Sequence, residues 1–320
     1  MVSLRTFAVG SMLAFGAMAN SIFARADVNP DPVRGDTFIH DPTVVKKPDG
    51  TYLAAFTSNG VGLKVSSDRT TWRDVGAAFP NGAPWTIPYT KGDRNLWAPD
   101  LSYHNGQYYM YYSASSFGAS RSAIFLATSK TGASGSWTNQ GLVIESFDNS
   151  NFNAIDPNLF VDSDGKWWLT FGSFWSGIKL TQLNPKTGKP INKNNLTSIA
   201  ARPQNGGAIE APYITKRGNF YYLWAAFDSC CKGTASTYRT MVGRASKVTG
   251  PYADSTGKPM MQGGGNQLLA SHGNIHGPGH PAVYTDKDND VLVYHYYNAA
   301  GIAQLGINQV RYVNGWPTVY

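Results

Sequence analysis

One block of residues recurs five times along this 320-residue chain, and that repeat constrains the fold more than any other feature. Each copy carries a polar or aromatic side chain, a proline, an apolar strand, a turn and a second strand. The first reads Ile39-His40-Asp41-Pro42-Thr43-Val44-Val45, followed by Asp49-Gly50 and Thr51-Tyr52-Leu53. The second is Leu96-Trp97-Ala98-Pro99-Asp100-Leu101, then Asn105-Gly106 and Gln107-Tyr108-Tyr109-Met110-Tyr111. Ile155-Asp156-Pro157-Asn158-Leu159-Phe160 and Ile209-Glu210-Ala211-Pro212-Tyr213-Ile214 open the third and fourth, and Gly279-His280-Pro281-Ala282-Val283-Tyr284 the fifth. The five prolines stand 57, 58, 55 and 69 residues apart. Each interval holds about four short strands with their turns, which is one propeller blade.

Local signals agree. Asp-Gly and Asn-Gly favour tight hairpins because both central residues tolerate positive φ. Proline is expected at the first residue of a strand, where its missing N–H need not enter the ladder. Further strands are legible at Gly62–Ser66 before Trp72, and at Ala123–Thr128 before Trp137 and Leu142-Val143-Ile144. Aromatic residues are 13% of the chain and charged residues only 15%, beside 34 glycines and 18 prolines, which suits many short strands and not a helical bundle. The expectation is an all-β, five-bladed β-propeller; the repeat gives no sign of how the ring closes.

Residues 1–26 read as a signal peptide: Arg5, an apolar run from Phe7 to Ala19, and the small-x-small motif Ala24-Arg25-Ala26. The run is short for a membrane anchor. The catalytic domain is thus expected over 27–320, secreted and extracellular, with no membrane association after leader removal. The net charge is +7, of which Arg5 and Arg25 supply two. There are no basic runs of the kind nucleic-acid binders carry. Nothing in the sequence demands more than a monomer.

In a propeller the innermost strands line a central channel, so residues at their starts converge. Aligning the copies on proline places Asp41, Asp156 and His280 directly before it, with Trp97 and Glu210 two places before it. Carboxylates gathered without cationic partners oppose one another's ionisation. Hydrolysis of a glycosidic bond needs two such groups, one to protonate the leaving oxygen and one to activate water or attack carbon. A third carboxylate can hold the acid's pKa high. The competing reading is that the acids are structural, bonded to backbone amides at blade starts; Asp100 fits that description best.

The segments His40-Asp41-Pro42-Thr43, Leu96-Trp97-Ala98-Pro99-Asp100, Ala154-Ile155-Asp156-Pro157-Asn158 and Ile209-Glu210-Ala211-Pro212-Tyr213 resemble glycoside hydrolase family 43. Phe171-Gly172-Ser173-Phe174-Trp175-Ser176-Gly177 and His276-Gly277-Pro278-Gly279-His280-Pro281 narrow the resemblance to its endo-1,5-α-L-arabinanases. It covers essentially the whole chain after the leader. It implies Asp41 as general base, Glu210 as general acid and Asp156 as the group that modulates and orients the acid. It also implies inversion, for which the base and acid carboxyls stand about 6.5–9.5 Å apart with water between. The implied substrate is arabinan or related pectic polysaccharide.

His272, His276 and His280 fall at four-residue intervals, but the intervening glycines and Pro278 argue against a helix and against zinc. The resemblance instead implies that His280 sits beside a calcium or sodium ion; a purely hydrogen-bonding His280 is the alternative. One imidazole is a poor calcium site by itself, so water would supply most ligands. No cofactor is expected for the chemistry itself. Trp97 is a candidate sugar-stacking platform, extended by Phe117 and Trp175, with Ser173 as a polar contact. Aromatics on strands are as often core as ligand surface.

Cys230 and Cys231 are adjacent, and in an exported protein form either a vicinal disulfide or two free thiols. Asn195-Leu196-Thr197 is an N-glycosylation sequon, relevant in a eukaryotic host. Two other functions stay open. An exo-acting arabinofuranosidase or β-xylosidase could use the same acids, although the chain ends with the fifth blade and without the additional β-sandwich of larger xylosidases. A non-catalytic carbohydrate-binding propeller would need the aromatics but gives no reason for three axial acids.

Overall fold

The computed structural model describes residues 27–287 and 289–320, so the expected signal peptide lies outside the described residues. Five sheets follow one another along the chain, one for each sequence repeat, antiparallel but for one outer strand of the first. Their innermost strands are Thr43–Lys46, Asn95–His104, Asn158–Val161, Ile209–Arg217 and His276–Asp286. Each pairs with the aromatic-rich strand that follows it: Tyr52–Phe56, Gln107–Ala114, Trp167–Phe171, Phe220–Phe227 and Asn289–Tyr297. The sequence-legible Gly62–Ser66 and Ser122–Ser129 are the third strands of their blades. The five-bladed propeller expected from the repeat is the fold.

Apolar faces of neighbouring blades pack against each other to form the core. Phe160 and Ile178 of the third blade meet Ile214, Leu223 and Phe227 of the fourth. Val44, Tyr52 and Trp72 of the first blade meet Val291, Val293 and Leu305 of the fifth across the closure.

The N-terminal segment completes the ring. Arg34–Gly35 adds a parallel outer strand to the first blade, against Thr71 and Trp72. The same segment reaches the fifth blade, where the Asp31 amide donates to the Ile307 carbonyl at 2.8 Å and Asn308 donates to the Asn29 carbonyl at 2.9 Å.

The prolines sit differently from expectation in three blades. Pro99, Pro212 and Pro281 lie inside their strands, at register shifts between Trp97 and Asp100, Glu210 and Tyr213, and Gly279 and Ala282. A bulge leaves the extra residue unpaired, so the missing N–H of proline costs no ladder bond there.

Candidate active site

A single backbone device builds the site. The residue before proline has positive φ in every blade: Asp41 at 50°, Ala98 at 45°, Asp156 at 58°, Ala211 at 52° and His280 at 56°. Such a conformation is uncommon for a residue with a Cβ, and persists only where surrounding contacts enforce it. At four of the five corners a hydrogen bond from the corner amide to the preceding blade supplies that enforcement. The Ala98 amide donates to Thr57 Oγ1 at 2.8 Å and the Asp156 amide to Ser113 Oγ at 3.0 Å. The Ala211 amide donates to Asp156 Oδ2 at 3.0 Å, and the Asp41 amide to His295 Nδ1 at 3.1 Å. The five corners therefore turn toward one axis. In three of them the functional group is on the corner residue; in the other two an alanine takes the corner, and Trp97 or Glu210 precedes it.

Asp41, Asp156 and Glu210 are all buried, with exposures of 9%, 7% and 8%. Their environments differ sharply. Burial pushes Asp41 upward, but the charges of His40 and His280 outweigh it and hold the carboxyl well below its ordinary value of 3.8. His40 Nδ1 lies 2.9 Å from Oδ2 and His280 Nδ1 lies 3.1 Å from Oδ1. The Thr57 hydroxyl donates to Oδ2 at 2.6 Å.

Glu210 moves the other way. Burial raises its pKa, the Asp156 charge raises it further, and the Ser173 hydrogen bond only partly opposes them. Ser173 donates to Oε2 at 2.5 Å, and the Tyr238 hydroxyl donates to Oε1. Asp156 is itself raised, by burial first and then by the Asp41 charge against the lowering effect of His280. Its bond to the Ala211 amide also grips the peptide next to Glu210. One carboxyl is thus kept ionised and another kept protonated around the same channel, the division that general acid–base hydrolysis requires.

His280 is raised to about 9: burial opposes its charge, but Asp41, Asp156 and Glu210 together favour it. Among the described residues it belongs to no cluster of three potential metal ligands, and neither do His272 and His276. Asp100 has the backbone bonding expected of a structural acid. It accepts from the Leu159 amide at 2.7 Å and from Asn158 at 3.2 Å, stapling the second blade to the third.

Trp97 is half-buried at the channel. Phe117 is 85% exposed and Trp175 43% exposed. Both stand in loops beyond strands whose ends pair with the site residues, since Ser113 pairs with Trp97 and the Phe174 amide donates to Ile209. Ser173 is turned onto Glu210. Cys230 and Cys231 form a disulfide with S–S 2.11 Å. Asn195 is exposed in a turn closed by its amide to Asn192.

Sequence reasoning did not single out four groups that shape the carboxyls: His40 as a partner of Asp41, His295, Thr57 and Tyr238. His40 is the exception with a signal, because it adjoins Asp41 in the repeat. His295 and Thr57 come from or follow second strands that read simply as apolar, and Tyr238 lies beyond an irregular loop.

Comparison with known proteins decides the family. The model of glycosyl hydrolases family 43 matches residues 31–317. This chain belongs to glycosyl hydrolase family 43. It is 46% identical over 286 residues to the extracellular endo-α-(1→5)-L-arabinanase 1 of Bacillus subtilis, covering 88% of this chain and 87% of that one. It is 40% identical to the extracellular exo-α-(1→5)-L-arabinofuranosidase ArbA of Cellvibrio japonicus, covering 88% and 86%. The structure of a family 43 endo-arabinanase from Bacillus licheniformis superposes with a TM-score of 0.85 at 46% identity, covering 90% of this chain and 99% of that one. The family 43 chain described here is therefore a glycoside hydrolase, and its axial carboxyls occupy the channel of a fold shared with other hydrolases of the family.

Proposed function

We propose that this protein is a secreted, monomeric endo-1,5-α-L-arabinanase that inverts the anomeric carbon, with residues 27–320 as its catalytic domain. The observation that carries this reading is the opposed tuning of two carboxyls in one channel, with Asp41 held ionised and Glu210 held protonated. Protonated Glu210 donates to the leaving glycosidic oxygen while Asp41 takes a proton from the attacking water. Asp156 keeps Glu210 protonated through its charge and steadies the adjoining peptide. Trp97, Phe117 and Trp175 offer aromatic faces for arabinofuranose rings, and Ser173 acts on substrate through Glu210.

The arabinan assignment is supported by the 46% identical arabinanases, and the endo mode by the higher identity to an endo enzyme than to ArbA. Export is supported by the leader pattern and by relatives named as extracellular. No helix among the described residues is long and apolar enough to cross a membrane.

A hydrated calcium or sodium ion beside His280 fits the residues present in a limited way. The charges of Asp41 and Asp156 favour a cation there as they favour the second proton of His280, so an ion would take that proton's place, with one imidazole nitrogen as its direct ligand and water as the rest. Held there, such an ion would supply positive charge behind the carboxylates.

Product analysis on linear and side-branched arabinan tests the whole reading, with reducing ends followed against viscosity. A fast viscosity drop with mixed short oligosaccharides is expected. Release of arabinose alone would move the assignment to an exo enzyme. Anomer analysis by NMR should find inverted product, and retention would remove Asp41 from the role of base.

A further inference from the structure

Asp41 is not simply exposed to the channel; a chain of hydrogen bonds runs away from it. A carboxylate can only accept, so His40 Nδ1, at 2.9 Å from Asp41 Oδ2, carries the proton between them. His40 Nε2 hydrogen-bonds the Tyr297 hydroxyl at 2.8 Å, so both ring nitrogens are held. The Tyr297 oxygen in turn accepts from the Cys231 amide at 3.0 Å. His40 is also stacked on His295, with ring centroids 4.0 Å apart, and His295 Nδ1 accepts the Asp41 amide. The ring orientation of His40 is therefore fixed by its neighbours.

The chain ends on the Cys230–Cys231 disulfide turn, which Asp228 ties down through Arg202 and Arg239, each at 2.6 Å. Cys231 has φ of 68°, and its amide is spent on Tyr297. Cys230 packs against Ala211, Ala226 and Tyr238, and Tyr238 donates to Glu210. One rigid turn thus touches the supports of both carboxyls.

We propose that His40 and Tyr297 are positioning residues for Asp41, and that the Cys230–Cys231 turn is the anchor from which they act. This rests on Asp41 being the general base. A small misplacement of a base relative to its water is expensive, on the order of 100-fold for about 1 Å. The relay excludes such drift by fixing the Asp41 carboxyl plane.

The test compares variants by kcat and KM on arabino-oligosaccharides and on an aryl arabinotrioside with a nitrophenol leaving group. Tyr297→Phe removes one hydroxyl and is expected to lower kcat by about 10-fold with KM changed less than about twofold. The factor should be the same on the aryl substrate, because activation of water does not depend on the leaving group. Glu210→Gln should lose less on the aryl substrate than on the oligosaccharide. His40→Asn keeps a donor near the Nδ1 position, whereas His40→Gln keeps one near Nε2. His40→Asn should therefore retain more kcat than His40→Gln or His40→Ala. The double change Cys230→Ser with Cys231→Ser should lower kcat alone, but add nothing in the Tyr297→Phe background, since coupled groups are not additive.

Unfolding temperatures near wild type establish that each variant is folded; if His40→Ala does not fold, Tyr297→Phe carries the test. Asp41→Asn is the control. If it is inactive while His40→Ala and Tyr297→Phe keep full kcat, the relay is overturned and the base assignment stands. Full activity in Asp41→Asn overturns both. Losses in KM alone, losses that vanish on the aryl substrate, or additive effects of the disulfide and Tyr297 changes also overturn the relay.

Discussion

At the scale of single residues, the chemistry follows from what surrounds each carboxyl. Asp41 and Glu210 share burial, which raises both, so their opposite outcomes come from neighbours: imidazoles at one, a carboxylate at the other. Asp41→Asn and Glu210→Gln should each reduce turnover of arabinan by more than about 1000-fold while leaving the unfolding temperature within a few degrees. The alkaline limb of kcat/KM should report loss of the Glu210 proton. Asp156→Asn removes a negative charge that raises Glu210, so that limb should move to lower pH. Ser173→Ala removes a bond that lowers Glu210, so it should move to higher pH. Opposite displacements in the two pH profiles are the expected result; displacements in the same direction would show that Glu210 does not set the limb. The three acids were legible because each stands one or two places before a repeated proline. His295 and Tyr238 were not, because a periodic apolar strand and a loop carry no mark of which side chain meets the channel.

At the scale of elements, the repeat predicted strands and turns well but misplaced three prolines, because bulges are tertiary events and leave no local signature in sequence. A second inter-blade device was equally hidden. Asp162, at the end of the third inner strand, accepts from Tyr221 at 2.6 Å and from Lys216 at 2.6 Å on the fourth blade. Asp286, at the same place in the fifth blade, accepts from Tyr52 at 2.6 Å, from Arg69 at 3.1 Å and from Lys46 on the first. The partners are more than 50 residues apart in sequence, so only the closed ring brings them together. Burial raises Asp286, but the Lys46 and Tyr52 bonds and the Lys46 charge outweigh it, and its pKa falls below 3.8. A lowered carboxyl stabilises fully above its unfolded value and loses that contribution as pH falls through the folded one. Asp286→Ala should therefore cost about 2 kcal/mol at neutral pH, and the difference from wild type should shrink below about pH 4. Urea titrations at pH 7 and pH 3 measure both; a difference that is constant with pH would rule out the ionic origin.

At the scale of the whole molecule, a ring of blades needs a closure, and here two contacts of different kind meet at the same seam. One is the apolar packing of the first blade against the fifth, reinforced by Asp286. The other is the N-terminal segment, which pairs with Thr71 and Trp72 on one side and with Ile307 and Asn308 on the other. Val33 packs into the apolar cluster of the seam itself, and Val28 into the cluster between the fourth and fifth blades. No residue of this segment contributes a carboxyl or aromatic to the channel. Removing residues 27–36 should therefore lower the unfolding temperature by about 5 °C or more, through lost backbone pairing and apolar burial, while kcat at 25 °C stays within about twofold of the full chain. The Asp286→Ala change should then be more damaging in the shortened chain than in the full one, because each contact limits how far the seam opens when the other is lost. Simple additivity of the two unfolding-temperature losses would mean that segment and clamp act on separate parts of the ring.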